Sequence, residues 1–152
     1  MASWIEIPSG SDFTLANLPY GVFSSGFSEH RIGTAIGDYA LDLKTLAQEG
    51  VFSSISFDAT TLESPALNKY AALEKGVHQS VRRFLQELLR TDTSYGSVLR
   101  DNSERIRRVL IPLRDVTMHL PMEIGDYTDF FVGMYHAQNV RFSTRKSFSG
   151  SF

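Results

Sequence analysis

Between Met118 and Val140 the chain gathers side chains suited to acid–base and metal chemistry: His119, Asp126, Tyr127, Asp129, Tyr135 and His136. If Thr128 to Val140 is helical, Asp129 and His136 stand two turns apart on one face, with Cα atoms about 10 Å apart. That is too far for a direct hydrogen bond and suited to flanking one bound small molecule. A carboxylate is a hard oxygen ligand for calcium or magnesium, and a neutral imidazole takes a proton from water. A Lewis acid on one side and a base on the other is a hydrolase arrangement. The same spacing has a structural reading, in which Asp126 caps the following helix and His136 faces solvent. Spacing alone favours that second reading, because aspartate near a helix start is common.

The elements that would hold this segment lie upstream. Asn17-Leu18-Pro19-Tyr20-Gly21 has turn chemistry and feeds a strand over Tyr20 to Ser24. Ile32, Thr34 and Ile36 alternate up to Gly37-Asp38, and Tyr39, Leu41 and Leu43 alternate after it, which predicts a β-hairpin. Lys44 to Glu49 has helical character, with Gly50 as its C-terminal stop. Ser64-Pro65 reads as an N-cap followed by proline at the first helical position, opening a long helical region that Gly76 bends or splits. Val77, Val81, Phe84, Leu85, Leu88 and Leu89 form one apolar stripe along it. His78 beside the stripe has no second ligand at a metal spacing and reads as a structural histidine. Asn102-Ser103-Glu104 opens a short helix, and Val109 to Ile111 and Val116 to His119 read as short strands separated by Pro112. Pro121 marks a break, placed as the boundary between residues 1–120 and 121–152. The stretch Phe142 to Phe152, dominated by serine, phenylalanine and basic residues, has no period and is expected to be a loose end. Few strands mixed with helices give an α+β class for residues 1–120.

Composition narrows the function. A net charge of -2 supplies no field to collect nucleic acid or an anionic membrane. Arg100, Arg105, Arg107 and Arg108 are interleaved with Asp101, Glu104 and Asp115, as on a solvated helix face. The chain has no cysteine, so a disulfide framework and thiolate metal sites are excluded. No run approaches the ~18 apolar residues of a membrane span, and Met1 to Asp12 lacks the pattern of a secretory leader. A cytoplasmic location is the resulting expectation.

Two ordered motif sets resemble one family. His119-Leu120-Pro121, Ile124-Gly125-Asp126-Tyr127-Thr128-Asp129-Phe130, then His136-Ala137 and Asn139-Val140 look like the opening of the fumarylacetoacetase catalytic domain. Asn17 to Phe23, Arg31-Ile32-Gly33, Ala35-Ile36-Gly37-Asp38 and Leu41-Asp42-Leu43 resemble that family's N-terminal domain in the same order. The resemblance covers residues 12 to about 140.

The resemblance implies a small SH3-like β-barrel with appended helices, then a truncated start of a β-rich catalytic domain that forms a homodimer in the complete protein. It implies metal-dependent hydrolysis of the carbon–carbon bond of 4-fumarylacetoacetate to fumarate and acetoacetate, with calcium and magnesium as cofactors. Asp129 would be a metal ligand and His136 the base that activates water. Phe131 stands two residues after that aspartate, where the family commonly has a substrate-binding tyrosine, so a hydroxyl contact is lost. Arg145 falls at the spacing of the family's substrate-binding arginine, although Arg141-Phe142-Ser143-Thr144 replaces the family's glycine and apolar strand before it. The other acidic ligands and the glutamate that assists the histidine would lie beyond residue 152, so the chain alone is expected to be an incomplete, inactive form. The alternative is a non-catalytic interaction module, whose proline-rich ligand groove would draw on Trp4, Tyr20, Phe23 and Tyr39.

Overall fold

The computed structural model describes residues 2–26, 28–126, 128 and 132–148. Strands β1 (Tyr20–Ser24), β2 (Arg31–Ile36) and β3 (Tyr39–Asp42) form an antiparallel meander. Gly37 makes the β2–β3 turn at φ +54°, and a Cβ there would sit 2.5 Å from the Glu6 carbonyl oxygen. Only glycine meets both demands.

After β3 the chain leaves the sheet. It forms α1 (Leu43–Gln48), a 3-10 turn over Ala59–Glu63, α2 (Asn68–Ala71), α3 (Lys75–Leu89), a 3-10 turn over Gly96–Val98 and α4 (Ser103–Val109). It then returns as β4 (Leu110–Pro112) and β5 (Thr117–His119). The strand order β4-β3-β2-β1-β5 puts these last two strands on opposite edges. In a flat sheet those edges would be about 19 Å apart. The link from Pro112 to Thr117 spans at most about 18 Å fully extended, and Leu113–Asp115 within it is wound as a tighter 3-10 turn. The sheet therefore curls into an antiparallel half-barrel, and the fold is a mixed one of helices and strands.

The core lies between one face of the sheet and the helices. Val22, Ile32, Ile36 and Leu41 from the sheet meet Leu43, Leu46, Phe52, Leu62, Val81, Leu85, Leu88, Leu89 and Val109. The expected α3 stripe is this contact: Val81, Phe84, Leu85, Leu88 and Leu89 are buried, and Val77 packs partly against them. The N-terminal segment is pinned to the far end of α3, where Trp4 donates its backbone N–H to Leu89 C=O and its indole N–H to Leu88 C=O. Those bonds satisfy carbonyls that a helix end leaves unpaired.

Local signals mostly fall where expected. The Asp42 carboxylate, not singled out as a cap in the sequence, accepts from Thr45 N–H and caps α1. Gly50 at φ +70° follows the C-cap Glu49, and the bonds Gly50 N–H to Ala47 C=O and Val51 N–H to Leu46 C=O complete a Schellman motif. Asn102 caps α4 through Arg105 N–H. His78 is structural, with its ring nitrogen 3.0 Å from Leu73 C=O and its ring edge-on to Tyr70.

Four expectations differ. Ser64 does not open a helix; it closes the 3-10 turn capped by Asp58, and helix begins only at Asn68. The break between the two helices falls at residues 72–74, so Gly76 sits inside the first turn of α3 and neither bends nor splits a helix. The last helix, α5, spans Met134–Phe148, whereas Thr128, Val132 and Gly133 precede it outside any helix. Residues 142–148 are therefore helical in backbone, contrary to the loose end expected from Phe142 onward.

Candidate functional site

The chemistry-bearing segment leaves the fold along β5, whose residues Thr117 to His119 pair with Ser24 to Val22 on β1. His119 is tied down at that edge. Its Nε2 lies 2.8 Å from Ser24 Oγ, and its ring stacks on His30 at 3.8 Å between centroids. Beyond it the connector is held by polar contacts to the start of α2. Leu67 N–H donates to Pro121 C=O at 2.8 Å, and Glu123 N–H and C=O both pair with the Asn68 side-chain amide. Leu120 and Ile124 point outward, each 76% exposed.

Asp126 is exposed on irregular backbone. It does not cap α5, which starts eight residues later. Asp129 and Phe131 lie outside the described residues, as does Tyr127. His136 is exposed in the first turn of α5, where Ala137 N–H donates to Gly133 C=O at 3.0 Å. Arg145 is on the same helix, with its side chain outside what is described. The helix expected over Thr128 to Val140 begins only at Met134, and the spacing of Asp129 from His136 lies outside the described residues. Among the described residues no group of three or more histidine, aspartate or glutamate side chains could hold an ion. These residues by themselves do not fit calcium or magnesium, which need about six oxygen ligands or more.

The perturbed groups lie elsewhere and are structural. Burial pushes the Tyr20 and Tyr70 hydroxyls up from the ordinary tyrosine value, and the two share a 3.3 Å hydrogen bond. Partial burial opposes ionisation of Glu49, but its hydrogen bonds to Arg108 and Arg105 outweigh it and hold the carboxyl below the usual range. These pairs, with Arg108–Glu104 and Arg100–Asp101, show that the arginine-rich stretch is largely matched by acidic partners. The aromatics considered for a peptide groove are not an exposed row: Phe23 is 2% exposed, and Trp4, Tyr20 and Tyr39 pack against the core. Among the described residues no helix is long and apolar enough to cross a membrane.

Sequence reasoning missed Asn68 and the Ser24–His119–His30 contact. His119 was conspicuous as part of a motif, but its partners are distant in sequence, and Asn68 carries no local signal.

Residues 16–121 match the family described as fumarylacetoacetase N-terminal. The chain belongs to that family. It is 46% identical over 144 residues to the fumarylacetoacetase of Emericella nidulans, an alignment covering 92% of this chain and 33% of the relative. The Caenorhabditis elegans fumarylacetoacetase is 40% identical over 141 residues, covering 92% of this chain and 33% of its own length. The human one is 40% identical over 139 residues, covering 91% and 32%. The chain thus spans about a third of the length of the curated relatives it matches.

Proposed function

We propose that the chain supplies the N-terminal domain and the opening of the catalytic domain of a fumarylacetoacetase, a hydrolase that cleaves a carbon–carbon bond of 4-fumarylacetoacetate to give fumarate and acetoacetate. The carrying observation is the alignment to proteins of that name over 92% of the chain, more than residues 1–121 alone could supply. The likeness therefore runs on into the segment that bears the candidate site.

The division at 120/121 is supported by burial as well as by the end of the family match. Residues up to that point enclose one core, whereas large apolar side chains stand exposed from Met118 onward: Met118, Leu120, Ile124, Val132, Met134 and Tyr135 are each 60% exposed or more. Exposed apolar side chains in such numbers mark surfaces that other protein covers. The curled half-barrel is read as the SH3-like unit of the family, and the complete protein as a cytoplasmic homodimer.

In this reading His136 takes a proton from water, and the resulting hydroxide adds to the substrate carbonyl beside the scissile bond. The tetrahedral adduct collapses, the carbon–carbon bond breaks toward the acetoacetate side, and the proton held by His136 is returned to the carbanion. Phe131 and Arg145 would contact substrate. A calcium or magnesium ion at Asp129 would draw its other ligands from outside the described residues.

The test joins residues 1–152 to the remaining catalytic sequence of the Emericella nidulans relative and follows loss of the diketone absorbance. Turnover by the joined protein supports the reading, and none at all, with the protein folded, overturns it.

A further inference from the structure

Asn68 opens α2, and nothing in the reaction described above calls for an amide there. Its Oδ1 accepts from Glu123 N–H at 2.9 Å, and its Nδ2 donates to Glu123 C=O at 2.9 Å. Next to it, Leu67 N–H donates to Pro121 C=O at 2.8 Å. Three hydrogen bonds thus hold irregular backbone against a helix start 55 residues upstream. A side chain that engages both backbone groups of one residue imitates a β-bridge. A primary amide offers the needed donor and acceptor side by side, whereas a carboxylate offers only acceptors.

Packing does not explain the arrangement. Leu120 and Ile124, on either side of the gripped residues, are exposed, and the Asn68–Glu123 bonds are themselves at the surface. Each such bond makes only a modest net contribution to stability. What they do supply is a fixed point: among the described residues, Glu123 makes the last hydrogen-bonded contact of the connector with the N-terminal fold before Asp126.

We propose that Asn68 is a positioning residue: by gripping Glu123 at both backbone groups it sets where the segment bearing Asp126, Asp129 and His136 departs from the N-terminal fold. The proposal rests on reading that segment as the start of the catalytic domain. Asn68 touches no reacting atom and acts through the connector.

Amide hydrogen exchange in the 152-residue chain tests the grip, comparing wild type with Asn68→Asp and Asn68→Ala. Asn68→Ala speeds exchange at Glu123 by about fivefold or more, the factor one net hydrogen bond carries, while Leu41 and Leu85 in the core keep their rates. Asn68→Asp retains an acceptor for Glu123 N–H and keeps most of the protection. Equal exchange at Glu123 in all three proteins overturns the proposal. So does a variant in which core amides accelerate in step with Glu123, because that is loss of the whole fold. In the joined enzyme, Asn68→Ala lowers kcat by about tenfold with KM little changed, as misplacement of a reacting group does, and Asn68→Asp recovers part of it. Unchanged kcat in an active joined enzyme overturns the positioning role. An inactive wild-type joined enzyme counts against the functional reading instead, and the exchange comparison still decides the grip.

Discussion

Asp42 shows how much one residue carries in this fold. It is fully buried, caps α1 through Thr45 N–H, accepts from Thr45 Oγ1 at 2.7 Å and pairs with Arg31 Nη1 at 2.7 Å. Removing it strands the mostly buried Arg31 guanidinium and uncaps the helix together. Asp42→Ala is therefore expected to cost about 3 to 5 kcal/mol, as breaking a buried ion pair does, read as a lower urea midpoint. His136 is the opposite case. It is exposed on α5, so His136→Ala should leave stability within about 0.5 kcal/mol of wild type while lowering kcat of the joined enzyme by roughly 10² to 10⁴. A large loss of stability with no loss of turnover would remove the histidine from the mechanism.

Among elements, the packing of α1 against α4 depends on charge. Glu49 at the end of α1 binds Arg105 and Arg108 of α4, and Arg108 also binds Glu104 one turn back. The Glu49 carboxyl titrates below its ordinary value of 4.5 when folded. Its contribution is thus fully present above that unfolded value and is lost as pH falls through the lower folded one. Glu49→Gln should destabilise the chain at pH 7 by about 1 to 2 kcal/mol, the scale of a charge-assisted hydrogen bond. The variant should lose less stability than wild type between pH 7 and pH 3. Urea midpoints at the two pH values measure this, and parallel pH profiles would show that the link contributes nothing.

The whole molecule divides into a closed core and an open side. Helices, curled sheet and N-terminal strap enclose the core, while the large apolar residues left uncovered cluster from Met118 onward. On the proposed function, added protein that covers that side should create activity. The 152-residue chain alone is accordingly expected to hydrolyse fumarylacetoacetate far below the roughly 1 s⁻¹ that marks the low end of ordinary enzymes, with and without calcium. Turnover at an enzymic rate by the chain alone would show that residues 1–152 already hold a working site.

The sequence by itself determined the features written in neighbouring residues. The Gly37 hairpin, the α3 stripe, the Asn102 cap and the Gly50 stop follow from period, turn chemistry and side-chain reach, all of which act within a few residues. The family motifs were equally legible, being ordered strings. Tertiary structure decided the rest. The start of the last helix moved from Thr128 to Met134, and a proline-headed helix at Ser64 gave way to a 3-10 turn. Which edges β4 and β5 occupy was set by a short link across a sheet that had to curl. Ser24 met His119 across 95 residues, and Asn68 met Glu123 across 55. No local pattern encodes such pairs, because a hydrogen bond between distant residues exists only once the core has brought their backbones within reach.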